Sequence, residues 1–234
     1  MAGGRVLLVL PALDEEEALR RLIPEVPAGF DVLVVDSGST DGTRELALSA
    51  GLRCVGVRYG RGQGSGVRTG MECFLEGGYD YLVTADCDYT DVLSDLPGVI
   101  GYLKAERLGL VLGVRDLSLQ RRYLGSVTML SKKTVSAMIY ALMGVKATDM
   151  LTGVWAFDRA SVARILPPLR ERGFEYGFEI LYTAWRLGVG IGETGVGFRP
   201  RIGLSKLTFR ERIRQVGYGL KYGLKALSWV LFRR

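Results

Sequence analysis

The 234-residue chain contains no histidine. Histidine-dependent triads, imidazole general bases and histidine-rich metal sites are therefore excluded, so any chemistry must use carboxylates, hydroxyls, cations and a hard metal ion. Cysteine is scarce. Cys54, Cys73 and Cys87 are an odd set at wide spacing, which argues against a disulfide framework and fits a reducing compartment. Long apolar runs are absent too. The longest uncharged one, Thr134 to Val145, has twelve residues, where a bilayer needs about twenty. The first apolar run meets Pro11 and four acidic residues, unlike a secretory leader. No low-complexity tract or repeat occurs, and 48% of residues are hydrophobic, which suits a folded domain.

Charge is unevenly distributed. Ten Lys/Arg and one Glu lie between Arg199 and Arg234, while the rest of the chain carries a net charge of −3. Such a tail suits an anionic partner.

β-Branched runs at Arg5–Leu10, Val32–Val35, Arg53–Val57, Tyr81–Thr84 and Leu110–Gly113 read as strands. Helical patterns at Glu15–Val26, Thr43–Ala50, Gly66–Glu76 and Leu93–Arg107 separate them. The alternation predicts an α/β fold with a parallel sheet. Further on, Tyr123–Leu142 and Phe178–Leu187 read as helices, Val154–Phe157 and Ile191–Phe198 as strands. Beyond Thr208 the pattern is helical, with Phe209, Ile213, Val216, Leu220, Leu224, Leu227 and Leu231 on one face and cations on others. That pattern suits a helix packed on the core or one lying on an anionic membrane surface.

Polar motifs follow four successive strands, where open α/β sheets bind ligands. Asp86-x-Asp88 ends a strand, and two carboxylates there repel unless a cation lies between them; Mg²⁺ or Mn²⁺ would satisfy them and bridge to a diphosphate. Asp36 ends an apolar strand and faces the same edge. Asp41-Gly42-Thr43 is turn-and-cap chemistry. Gly60–Gly66, with Arg61 and Arg68 beside it, lacks the dinucleotide fingerprint and serves equally as a flexible connection or a phosphate cradle. Asp149-x-x-Thr152-Gly153 reads as a turn when taken alone, and Arg201–Lys206 as an anion site or a plain basic loop.

In order along the chain, Pro11-x-x-Asp14-Glu15, Asp36-x-Gly38-Ser39-x-Asp41-Gly42-Thr43, Gly62-x-Gly64-x-x-x-Arg68, Asp86-x-Asp88, Gly113-x-Arg115, Asp149-x-x-Thr152-Gly153 and Arg201-x-Gly203-x-Ser205-Lys206 resemble the inverting family 2 glycosyltransferases of GT-A fold, of the dolichol-phosphate mannose synthase type. The resemblance implies a catalytic domain over 1–207 and a basic amphipathic tail over 208–234. It implies that Pro11, Ala12, Asp14, Glu15, Asp36 and Arg68 bind the nucleotide sugar, and that Asp86, Asp88 and Thr90 hold Mg²⁺ or Mn²⁺. Arg115, Arg122, Ser126, Arg201, Ser205 and Lys206 match the positions that grip a lipid phosphate. The substrates implied are a nucleotide sugar (GDP-mannose or UDP-glucose type) and a polyprenyl or dolichyl phosphate. The implied place is the cytoplasmic face of a membrane, with an anionic surface or a membrane-protein partner compatible with it. Two readings compete. A non-lipid sugar acceptor would need a carboxylate base, for which Asp149 is the candidate. A polyanion binder without catalysis would use the tail alone, but no nucleic-acid recognition motif is present.

Overall fold

The computed structural model describes residues 4–203 together with 217, 218, 220–222, 224, 225, 227 and 228. Seven strands form one sheet: β1 (Val6–Ala12), β2 (Phe30–Asp36), β3 (Arg53–Gly56), β4 (Tyr81–Thr84), β5 (Leu110–Arg115), β6 (Trp155–Asp158) and β7 (Ile191–Val196). Their order is β3-β2-β1-β4-β6-β5-β7. All neighbours are parallel except β6, which runs antiparallel to both β4 and β5. The order reverses direction between β1 and β4, so the loops after these strands flank a topological switch point.

Alternation along β1 explains the layers. Leu7 and Val9 face one side with Leu33, Val35, Leu82 and Trp155, where they meet α3 (Gln63–Glu76), α5 (Leu117–Met143), α6 (Arg159–Ile165) and α7 (Tyr176–Arg186). Val6, Leu8 and Leu10 face the other, against α1 (Glu16–Leu22), α2 (Thr43–Ser49) and α4 (Leu96–Ala105). This period of two, with apolar residues at every position of β1, is the mark of a strand covered on both faces. Phe74 and Trp155 are fully buried, and truncating either to Ala would cost about 3–5 kcal/mol.

Element boundaries differ from the sequence expectation where capping decides them. The helix expected at Tyr123 begins six residues earlier, because the Asp116 carboxylate accepts from the Ser118 and Leu119 amides at 2.8 and 3.2 Å. It ends at Gly144, whose φ of +67° is open to glycine without strain. The unforeseen α6 is capped by Asp158, which also ends β6 and accepts from the Ser161 amide at 2.7 Å. Most of the helical stretch expected beyond Thr208 lies outside the described residues. Tyr222, which is described, is buried and its hydroxyl donates to Glu171 at 2.6 Å. No described helix is long and apolar enough to cross a membrane.

Candidate active site

The loops after β1 and β2 are knitted by short hydrogen bonds. Asp14 (φ +50°) accepts from the Thr40 amide at 2.7 Å and its own amide donates to Ser39 Oγ at 2.9 Å. Asp36 Oδ1 accepts from the Ser39 amide and hydroxyl at 2.9 and 2.6 Å, while the Glu15 amide donates to Thr43 Oγ1 at 2.9 Å. Asp41 caps its own turn through the Thr43 amide. Asp14 and Asp36 thus brace a shelf whose surface is formed by Pro11, Ala12, Leu13, Glu15 and Ser37, which line the main cavity.

The glycine-rich run is a packing device. A Cβ on Gly62 (φ +139°) would lie 2.1 Å from the Arg172 carbonyl oxygen, and one on Gly64 2.6 Å from that of Glu171. The close approach lets the Ser65 amide donate to Arg172 O and starts α3 at Gln63. Arg61 lines the cavity and donates to the Gly38 carbonyl at 2.9 Å. Arg68 is elsewhere. Its guanidinium stacks 3.7 Å from the centroid of the Tyr59 ring, outside the cavity lining.

An acidic centre lies past the end of β4. Asp88 Oδ1 accepts from the Thr90 amide and hydroxyl at 3.0 and 2.6 Å. Asp86 Oδ1 accepts from Gln63 Nε2 at 2.9 Å, and the Asp86 amide donates to Asp91 Oδ2 at 2.8 Å. Asp91 is completely buried, and its Oδ1 has no hydrogen-bond partner. Burial pushes its carboxyl up to about 6, against the pull of Arg115. Burial, then Asp91 and Asp88, hold Asp86 well above the usual carboxylate range. Gly153 closes the cluster: a Cβ there would fall 2.5 Å from Asp86 Cγ and from Asp91 Oδ2.

This donor set fits a hard divalent cation. Its ligand atoms are all oxygens, the repulsion among three carboxylates calls for positive charge, and one buried acid oxygen is left unpartnered. The described residues include no group of three acidic, cysteine or histidine ligands that could hold a metal alone. Mg²⁺ and Mn²⁺ commonly complete such sites with substrate phosphate oxygens.

A cationic wall faces the acids. Arg115, at the end of β5, donates from Nε and Nη2 to Asp149 at 2.8 and 3.2 Å, and from Nη2 to the Leu151 carbonyl. Asp149 also accepts from Lys132 Nζ at 2.7 Å and Gln120 Nε2 at 2.9 Å. Burial alone would raise the Asp149 carboxyl; Arg115 and then Lys132 outweigh it and hold the group far below the carboxylate range. Asp149 lies behind the wall rather than on it, whereas Arg115 and Lys132 line the cavity.

Arg201 is on the acidic side. Its guanidinium forms ion pairs with both Glu15 and Asp88, and the Ile202 amide donates to the Asp88 carbonyl at 3.1 Å. The resemblance put Arg201 with the acceptor phosphate; the fold sets it against Glu15 and Asp88, on the loops after β1 and β4. Arg122 is exposed on α5 and absent from the cavity lining. Ser126 is within α5, where its side chain is not described, and Ser205 and Lys206 lie outside the described residues. Reading the sequence alone missed Asp91, Gln63, Lys132 and Gln120. Asp91 carried a signal, as a third acid five residues after Asp86; the others gain meaning only through the fold.

The resulting cavity holds about 650 Å³ and joins the shelf, the acidic centre and the cationic wall. Its remaining lining is largely apolar: Tyr123, Met150, Leu151, Phe174, Phe198 and Pro200.

The fold is GT-A. It superposes on glucosyl-3-phosphoglycerate synthase from Mycobacterium tuberculosis, solved with Mn²⁺, UDP and glucosyl-3-phosphoglycerate, with a TM-score of 0.74 over 95% of this chain and 80% of that one, at 24% identity. Glycosyl transferase family 2 matches residues 7–166, and the chain belongs to that family. It is 29% identical over 222 residues to the undecaprenyl-phosphate mannosyltransferase of Micrococcus luteus, covering 87% of this chain and 88% of that protein. It is 27% identical over 184 residues to a dolichyl-phosphate β-glucosyltransferase of Dictyostelium discoideum, covering 72% of this chain but only 55% of that protein. The chain thus spans about half the length of this last relative.

Proposed function

We propose that the protein transfers one sugar from a nucleotide sugar to a polyprenyl phosphate, with inversion at the anomeric carbon and with Mg²⁺ or Mn²⁺ bound. The observation that carries this reading is that one cavity has carboxylates on one side and Arg115 and Lys132 on the other. A phosphate monoester has a second pKa near 6 and is largely dianionic at neutral pH, so as an acceptor it needs no strong general base. This suits a chain without histidine, in which Asp149 is fully buried and engaged by two cations and an amide.

In this reading Pro11, Ala12 and Glu15 hold the nucleoside end, braced by Asp14 and Asp36. Asp86 and Asp88, steadied by Thr90, would hold the ion; the chemistry it supplies is neutralisation of the charge that develops on the departing nucleoside diphosphate. Arg115 orients the acceptor phosphate toward the anomeric carbon, and such positioning supplies most of the catalysis available here. Asp149 acts through Arg115 by fixing its plane. Arg201, paired with Glu15 and Asp88, stands on the donor side.

The apolar lining beside the cationic wall favours an isoprenoid over a small polar acceptor. Leu220, Leu224 and Leu227 support the same reading: they are 52%, 56% and 39% exposed at steps of four and three, beside the cations of the tail. That arrangement suits the interface of an anionic bilayer, where each Lys or Arg contributes roughly 1 kcal/mol. A soluble phosphorylated acceptor is the second reading, motivated by the glucosyl-3-phosphoglycerate held by the structural neighbour. The test offers GDP-mannose and UDP-glucose with Mn²⁺ to the full chain, against undecaprenyl phosphate and 3-phosphoglycerate, and identifies products by mass. A glycosylated undecaprenyl phosphate is expected. Transfer to 3-phosphoglycerate alone would favour the second reading.

A further inference from the structure

Lys132 raises a question that Asp149 does not answer. Asp149 carries one negative charge, and Arg115 already meets it through two nitrogens. Lys132 adds a second cation to the same carboxylate, at 2.7 Å, with its side chain only 5% exposed. The buried trio therefore carries a surplus positive charge. An apolar residue in place of Lys132 would spare the desolvation cost, since a buried charge is tolerated only where it is compensated.

Among the described residues, Lys132 itself meets no acid other than Asp149. On its own helix, Lys132 is followed by the exposed Lys133. Lys132 also lines a second groove of about 590 Å³, where Lys133 and Lys146 are cationic and Glu193 of β7 is the only acid among the described residues. Both oxygens of Glu193 are engaged by the Thr148 amide and hydroxyl. Asp86 and Asp91 act on the Arg115 guanidinium, whereas the charges that act on Lys132 are Asp149 and Arg115. Gln120 gives Lys132 only a neutral carbonyl. Two of the three N–H groups of Lys132 serve Asp149 and Gln120, which leaves one for the cavity that Lys132 lines.

We propose that Lys132 is a positioning residue for the acceptor phosphate, fixing Asp149 and thereby Arg115, and that phosphate entry completes its protonation. The proposal rests on the phosphate-acceptor reading above. Burial lowers the Lys132 ammonium to about 8, with Asp149 pulling upward and Arg115 pushing down. A dianion in the cavity favours the charged ammonium and raises that value. Acceptor binding above pH 8 must then draw a proton from solvent, by linkage.

The test is calorimetric titration of the full chain with farnesyl phosphate at pH 8.5, in two buffers of different ionisation enthalpy. Inorganic phosphate and 3-phosphoglycerate form parallel arms. At this pH the ligand phosphates are already dianionic, so proton uptake reports the protein. Uptake of more than half a proton per ligand is expected for the wild type. Lys132→Arg should still bind but take up none, and Lys132→Met should raise KM for the lipid acceptor at least tenfold with donor affinity within threefold. Wild-type binding without proton uptake, or equal uptake by Lys132→Met, would overturn the role of Lys132. Absence of binding in all three arms would instead overturn the acceptor reading itself. The Arg variant separates charge from mere filling of the site.

Discussion

The guanidinium of Arg201 is paired with the carboxylate of Asp88 across 113 positions of sequence. Asp88 is one of the two acids assigned to the metal, so an internal cation stands where the ion's charge is needed. Glu15 holds the other arm of the same guanidinium. Arginine and metal are therefore expected to compete for Asp88 until a diphosphate arrives to share both.

Removing that competitor has opposite effects on binding and turnover. Arg201→Ala should bind Mn²⁺ a few-fold more tightly in the absence of nucleotide, as read by electron paramagnetic resonance. The same variant should lose at least a hundredfold in turnover, about 2.7 kcal/mol of transition-state stabilisation. Unchanged turnover would remove Arg201 from the site.

Asp91 is the buried third acid of the centre. Its carboxyl, raised to about 6, is less stable ionised in the fold than in the unfolded chain. This group therefore disfavours folding above pH 6, and the penalty fades as pH falls from about 6 toward the ordinary carboxylate value. Asp91→Asn should then raise the Tm of the metal-free protein at pH 7.5, by roughly 2–4 °C for each kcal/mol relieved. The Tm gain on adding Mn²⁺ with UDP should shrink in the same variant. A lower metal-free Tm would show that the acid is compensated.

Gly153 tests the close packing of the acidic centre. A methyl group there would lie 2.5 Å from Asp86 Cγ and 2.6 Å from the Asp86 amide nitrogen. Gly153→Ala should destabilise by about 1–3 kcal/mol in thermal unfolding, as overpacking does. It should also lower turnover, because Asp86 must move.

What the sequence revealed follows physical range. The strands were legible because β1 and β2 bury both faces and so carry unbroken apolar runs. Asp86-x-Asp88 was legible because strand ends and acid pairs are local. The antiparallel β6 was not, since its four residues read as any short apolar strand and direction is set by neighbours. Arg68 and Arg201 were misplaced for a related reason. Sequence proximity put Arg68 by the glycine loop, but helix α3 turns it onto Tyr59; sequence distance kept Arg201 away from loops that the sheet brings to it. The cluster joins Gln120 and Lys132, twelve residues apart on α5, to Asp149 in the loop that follows, and neither α5 residue left a local trace.

The tail gives a prediction at the level of the whole chain. With Leu220, Leu224 and Leu227 exposed, the full chain should float with anionic liposomes at low salt. Truncation after Lys206 should abolish flotation and preserve nucleotide-sugar binding. Equal flotation of the truncated form would reject a membrane role for the tail.

Central to the proposed function is that Asp86 and Asp88 hold a metal ion against a sugar diphosphate, with transfer to a phosphate acceptor. Its most direct test is single-turnover transfer of labelled sugar to undecaprenyl phosphate by wild type and Asp88→Asn, each with Mn²⁺ and with EDTA. Circular dichroism confirms that the variant is folded. The expected result is a loss of at least a hundredfold in the variant, and a comparable loss for the wild type in EDTA. Undiminished transfer by the folded variant, or by the wild type in EDTA, would contradict the account.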